Sequence, residues 1–146
     1  TRVNSPTETR FNQELALALF RLTLGVNFFL HGAVRIFGDL GGFVSGTVRG
    51  FSETILPAPL VQLFALALPF AELVIGAFLI LGLWTRANLA LGALVMTSLV
   101  FGMSLRQEWG TVGTQMVYAI CFFVALFFHV PNRFSLDGFL KKTDSG

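Results

Sequence analysis

The chain has 146 residues, 54% hydrophobic and only 12% charged, with a mean hydropathy of +0.74. A domain this short holds one core, and soluble domains carry about 25% charged residues, so most of this surface must face lipid rather than water. A net charge of +2 with no basic run beyond Lys141-Lys142 leaves no footprint for nucleic acid, and the single Cys121 excludes an internal disulfide, a CxxC redox pair and a cysteine-built metal or iron–sulfur site within the chain.

In chain order, residues 1–14 are polar and carry Arg2, Glu8, Arg10 and Glu14. They lack the basic start and short apolar stretch of a cleavable signal, so the first helix is expected to act as the insertion signal. Apolar segments follow at roughly Leu15–Phe37, Leu60–Trp84, Ala87–Leu105 and Val112–Val130. Each is close to the ~20 residues needed to span a ~30 Å hydrocarbon core, and backbone in lipid must satisfy itself, so all four are expected to be helices. Residues 15–130 thus form one four-helix transmembrane domain of the all-α class, flanked by a polar N-terminus (1–14) and an interfacial tail (131–146).

The connections differ. Thr85-Arg86 reads as a tight turn and Arg106–Thr111 as a short one, whereas Gly38–Pro59 is long and carries five glycines and two prolines among Phe43, Val44, Val48, Phe51, Ile55 and Leu56. An interfacial helix or half-buried cap over the bundle mouth suits this mixture, and an ordinary surface loop suits it equally. Four spans put both termini on one side. That side carries Arg2, Arg10, Arg86, Arg133, Lys141 and Lys142 against Arg35, Arg49 and Arg106 on the other, which favours cytoplasmic termini. The tail leaves the fourth helix at Pro131, and its Phe134, Leu136, Phe139 and Leu140 fit the membrane interface. Trp84 and Trp109 fit the interfacial aromatic belts.

Ionisable side chains inside a bilayer cost a few kcal/mol and mark functional or packing sites. Arg21, His31 and Arg35 fall within an ~80° arc of the first helix, with Asn27 at its edge, positioned to bond a neighbouring helix. Glu72 sits mid-way along the second segment, beside Pro69 and the small Ala65 and Gly76. Counting ~1.5 Å per residue from the cytoplasmic end puts Arg21 at ~10 Å, Glu72 and Tyr118 at ~16 Å and His31 at ~25 Å, so Glu72 is expected nearest Arg21 and Tyr118. Either Glu72 pairs with Arg21, helped by Tyr118 or Ser98, or it stays protonated. An Arg21–Glu72 pair could equally serve only to fix helix packing, and Arg35 could snorkel to the headgroups. The two histidines, His31 and His129, lie ~25 Å apart in depth and cannot share one iron, so neither haem nor metal is expected from this chain alone.

The runs RLTLGVNFFLHGAVRIFG and AELVIGAFLILGLWTRANLALGAL resemble the DoxX family of small bacterial and archaeal membrane proteins. The resemblance covers most of residues 16–129 and rests on Arg21, Gly25, His31-Gly32, Arg35, Glu72, Gly76, Gly82 and Thr85-Arg86. It implies a four-helix bundle in the cytoplasmic (inner) membrane and an association with redox chemistry, since the related DoxD is a subunit of thiosulfate:quinone oxidoreductase. It implies no substrate. The expected function is a redox-associated subunit interacting with quinone, with Glu72 and His31 as the catalytic pair and Arg21, Asn27, Arg35 and Tyr118 as ligand-binding residues. Its electrons would come from a partner oxidoreductase subunit. The competing reading is a non-catalytic structural or assembly subunit whose seventeen phenylalanines dock onto a larger complex.

Overall fold

A computed structural model describes residues 6–129 and 134–143 of the chain. Within them all regular structure is helical: α1 Pro6–Phe37, α2 Leu40–Gly50, α3 Ala58–Leu81, α4 Thr85–Leu105, α5 Trp109–Phe127 and α6 Leu136–Thr143. Four of these, α1, α3, α4 and α5, are long and apolar enough to cross a membrane. They pack as a bundle in which α1 lies closest to α3, and α4 to α5.

The observed bounds depart from the expected ones by a few residues at most helix ends, and three of these matter for the site and the turns. First, α1 begins at Pro6, so the polar residues ahead of Leu15 extend the first span by more than two turns instead of preceding it. Second, α3 stops at Leu81 because Gly82 takes up the left-handed conformation (φ 69°) that ends a helix at little cost to glycine. The tight turn is therefore Gly82–Trp84, and Thr85-Arg86 opens α4 instead of forming the turn. Third, α5 starts at Trp109. Pro131, Val130, Arg2 and Arg133 lie outside the described residues. The glycine-rich connection holds a helix, α2, started by Asp39, whose carboxylate accepts the Gly42 N–H at 2.7 Å.

The core is thin. Leu24, Phe28, Ile75, Leu79, Leu89, Met96, Phe122 and Ala125 make one buried cluster, with Phe28 and Phe122 edge to face at 4.9 Å. Outside it, large apolar side chains such as Leu63, Phe123 and Phe127 point outward to the lipid. The α1–α3 contact is set by small residues. A Cβ on Gly25 would stand 2.9 Å from the Ile80 amide nitrogen, and one on Gly76 would stand 2.7 Å from the Gly25 carbonyl oxygen. Close backbone approach of this kind supplies the van der Waals contact that holds helices together in lipid, where the hydrophobic effect gives no drive.

At the end of the bundle carrying the α3–α4 turn, the C-terminal segment acts as a clasp. Trp84 sits at the N-cap of α4 with φ 43° and makes no side-chain cap. The cap comes instead from α6: the Asp137 carboxylate accepts the N–H groups of Trp84 and Thr85, both at 2.8 Å, while the Asp137 N–H donates to the Gly82 carbonyl at 3.0 Å. Partial burial pushes the Asp137 carboxyl up, but the hydrogen bonds from Thr85 and Trp84 outweigh it and hold the group below the usual carboxylate range. A carboxyl with a lowered folded-state pKa stabilises above its unfolded value and loses that contribution as pH falls through the folded one. Protease resistance of the C-terminal segment is therefore expected to persist through neutral and mildly acidic pH and to fall only below the ordinary carboxylate range. Asp137→Ala is expected to cost about 1 kcal/mol, the worth of a helix N-cap, and to remove the acid transition, as limited proteolysis across pH would read.

Candidate functional site

A cavity of about 740 Å³ occupies the half of the bundle nearest α2. One face of each of five helices lines it. From α1 come Asn27, His31 and Arg35, a spacing of four residues that stacks them along one helical stripe. From α3 come Val61, Ala65, Leu68 and Glu72, and α4 contributes Met96, Ser98 and Met103. The face of α5 carries Thr111, Thr114, Gln115 and Tyr118 at the i, i+3, i+4, i+7 spacing. Over the mouth, α2 turns down Phe43 and Thr47, with Phe51 at its C-cap.

The wall formed by α1 and α3 carries the charge. Arg35 donates through Nη1 to Glu72 Oε2, and the same guanidinium lies 4.6 Å over the Phe43 ring of α2, so one side chain ties together α1, α3 and the helix over the mouth. The Glu72 side chain is only 5% exposed and that of Arg35 27%. His31 Nδ1 lies 2.9 Å from the Asn27 carbonyl oxygen. A carbonyl can only accept, so Nδ1 carries the proton, and in the neutral ring Nε2 keeps its lone pair. Asn27 in turn donates through Nδ2 to the Tyr118 hydroxyl at 3.2 Å, bridging α1 to α5. The buried Gln115 Oε1 has no partner.

Five of the six expected site residues, Asn27, His31, Arg35, Glu72 and Tyr118, thus meet at one cavity, and Arg21 does not. Arg21 is buried near the α3–α4 turn, packed under Gly82, and donates through Nη2 to the Phe134 carbonyl at 2.9 Å. Glu72 pairs with Arg35 rather than with Arg21, which corrects the depth arithmetic. Counting from where the apolar residues begin assumes that every apolar segment starts at the same depth. Here α1 extends well below Leu15, and the packing of Gly32 on the Pro69 and Leu73 backbone sets the register. That register leaves Arg21 level with Gly82, about 15 Å along α3 from Glu72, while the long Arg35 side chain reaches down from the other end.

Sequence reasoning named Tyr118 but passed over the rest of the α5 stripe, Thr111, Thr114 and Gln115. The signal was present, since four polar side chains at helical spacing in an otherwise apolar span mark a face turned away from lipid. Ser98, considered as a partner for Glu72, lines the cavity but gives its proton to the Leu94 carbonyl at 3.0 Å.

Chemically, the site combines an apolar cavity within the ~300–1,000 Å³ range of small-molecule sites with a buried ion pair, an imidazole with one free nitrogen and a phenol. Such a set can seat an amphiphile by its polar head and exchange protons with it. No curated protein and no solved structure matches the chain. The family model of DoxX matches residues 16–105, which run from the first span to the end of α4 and take in Asn27, His31, Arg35 and Glu72. The match covers more than half of the 146 residues, and the chain belongs to the DoxX family.

Proposed function

We propose that this DoxX protein is a quinone-interacting subunit of a membrane oxidoreductase, with its cavity receiving the quinone head and a partner subunit handling the electrons. The observation that carries the reading is the convergence of His31, Arg35 and Glu72, backed by Asn27 and Tyr118, on one apolar cavity. A bound quinone would supply reversible two-electron, two-proton chemistry. The chain's own part is to hold the ring, exclude water and keep proton carriers beside it: His31 through Nε2, Glu72 through its carboxylate and Tyr118 through its hydroxyl. In this reading the termini are cytoplasmic and the cavity opens in the outer half of the inner membrane.

A second reading has its own observation. The Arg35–Glu72 pair and the interlocked Gly25, Gly32 and Gly76 fasten α1 to α3, which suits a subunit whose task is assembly of a larger complex. Gentle extraction from the native membrane, followed by mass spectrometry of both lipid and protein fractions, separates the two. Co-purifying quinone that falls severalfold in His31→Ala supports the first reading. Stoichiometric partner subunits without quinone support the second and overturn the first.

A further inference from the structure

The cavity wall is closed at the mouth and between α1 and α3. Over the mouth, Phe51 is 8% exposed with its ring against Gly102 of α4, and Phe43 sits under the Arg35 guanidinium. Between α1 and α3 the interlocked Gly25, Gly32 and Gly76 leave no gap. The seam between α3 and α4 is different. Cavity residues that face the bundle axis are covered, Val61 at 5%, Ala65 at 0% and Met96 at 4% exposure, yet Leu60, Phe64 and Phe101 line the same cavity at 53%, 40% and 57%. A side chain that both lines a cavity and meets the exterior stands at an opening in its wall. Counted along each helix from the tight turn that joins them, Phe64 of α3 and Phe101 of α4 both lie about 25 Å away, so the two rings stand level on either side of the seam.

The other exposed liners are polar. Thr97 and Ser98 of α4 bond their hydroxyl protons to carbonyls of their own helix at 2.9 and 3.0 Å, so their donors are satisfied without water. His31, Thr111 and Thr114 belong to α1 and α5 and make a polar edge there. A hydrocarbon chain lying on that edge would leave an imidazole nitrogen against hydrocarbon, whereas between Phe64 and Phe101 it covers only rings and methylenes. We infer that the seam rimmed by Leu60, Phe64 and Phe101 is a portal and tail-binding subsite: the ligand is an amphiphile with a long hydrocarbon tail, which enters sideways from the bilayer and leaves its tail between the two rings. This rests on the quinone reading above and adds to it the direction of entry and the need for a tail. A head held at Glu72 lies about 12 Å along α3 from Phe64, and a decyl tail is long enough to reach the seam. Entry by this route bypasses α2, which need not open. Lipid is as apolar as the seam, so the portal fixes where the tail lies and adds little affinity.

The test therefore reads position. The full chain in lipid nanodiscs is irradiated with a fully substituted benzoquinone whose decyl tail ends in a diazirine, which loses dinitrogen to give a carbene that inserts into a nearby C–H bond. Peptide mass spectrometry locates the adduct, and an excess of the same quinone with a plain decyl tail separates site-directed label from label delivered by probe dissolved in the lipid. Displaceable label is expected on Leu60, Phe64, Phe101 and their immediate neighbours, several-fold above any other segment. Displaceable label concentrated elsewhere, on Thr111 and Thr114 at the polar edge or on Met96 inside the cavity, overturns the portal and leaves the quinone site standing. Label that the plain quinone displaces nowhere means that the seam holds bulk lipid only, and it removes the quinone site and this inference together.

Discussion

Glu72→Gln is expected to accumulate in the membrane at the wild-type level and, if the cavity is the proposed quinone site, to retain quinone at a tenth of the wild-type amount or less. The amide keeps the shape of the carboxylate and can still accept a hydrogen bond from Arg35, so the α1–α3 contact survives. What disappears is the charge and the capacity to carry a proton. Glu72→Ala removes the acceptor as well. The Glu72 side chain is 5% exposed and Arg35 27%, so the arginine left behind is only partly able to reach water, and the cost falls at the low end of the range for breaking a buried pair, about 3 kcal/mol. Immunoblot levels and extracted quinone, measured on both variants, decide between the two readings. If Glu72→Gln depletes the protein as severely as Glu72→Ala, the pair is a packing device and the site loses its proton carrier.

The second large effect falls on the helix contact. Gly76→Ala would put a methyl 2.7 Å from both the Gly25 carbonyl oxygen and the Phe29 Cα, and the neighbours are backbone, which cannot rotate away. The helices must part by roughly an ångström, at a cost of about 2–3 kcal/mol for an overpacked contact. The separation also carries Glu72 away from Arg35, so quinone retention should fall together with thermal stability. Gly113→Ala is the control. Nothing lies within 4 Å of its added methyl, and alanine is the better helix former, so its melting temperature should stay level or rise. If Gly76→Ala melted with the control, close approach would not be what holds α1 to α3.

Much of this architecture could be read from the sequence. The spans, their helical state and the polar face of α1 follow from periodicity and from the cost of unsatisfied backbone in lipid. Asn27 bridges to a neighbouring helix, as its place at the edge of the stripe implied. Interhelical register was not legible, and that alone decided which arginine Glu72 meets. Hydropathy marks where apolar residues begin, but the depth of each helix is set by which small residues interlock, here Gly32 against Pro69 and Leu73. The α2 helix was only one of two readings because four of its eleven residues are glycine and local propensity opposes it. The Asp39 cap and the stacking of Arg35 on Phe43 favour it nonetheless. The role of Asp137 was beyond sequence reasoning, since it caps a helix that starts 52 residues earlier.

That distant cap imposes an order on biogenesis. The first amides of α4 and the Arg21 side chain find their acceptors only when the segment from Phe134 onward arrives, and that segment leaves the ribosome after all four spans. All four spans can be inserted before it, yet the cytoplasmic end in the proposed topology stays frayed until α6 has been made. A chain halted after α5 would sit in the bilayer with an unanchored α4 start and an arginine lacking its carbonyl, both within reach of membrane proteases. The clasp thus makes the fold of these helix ends depend on a segment that follows every span in the chain.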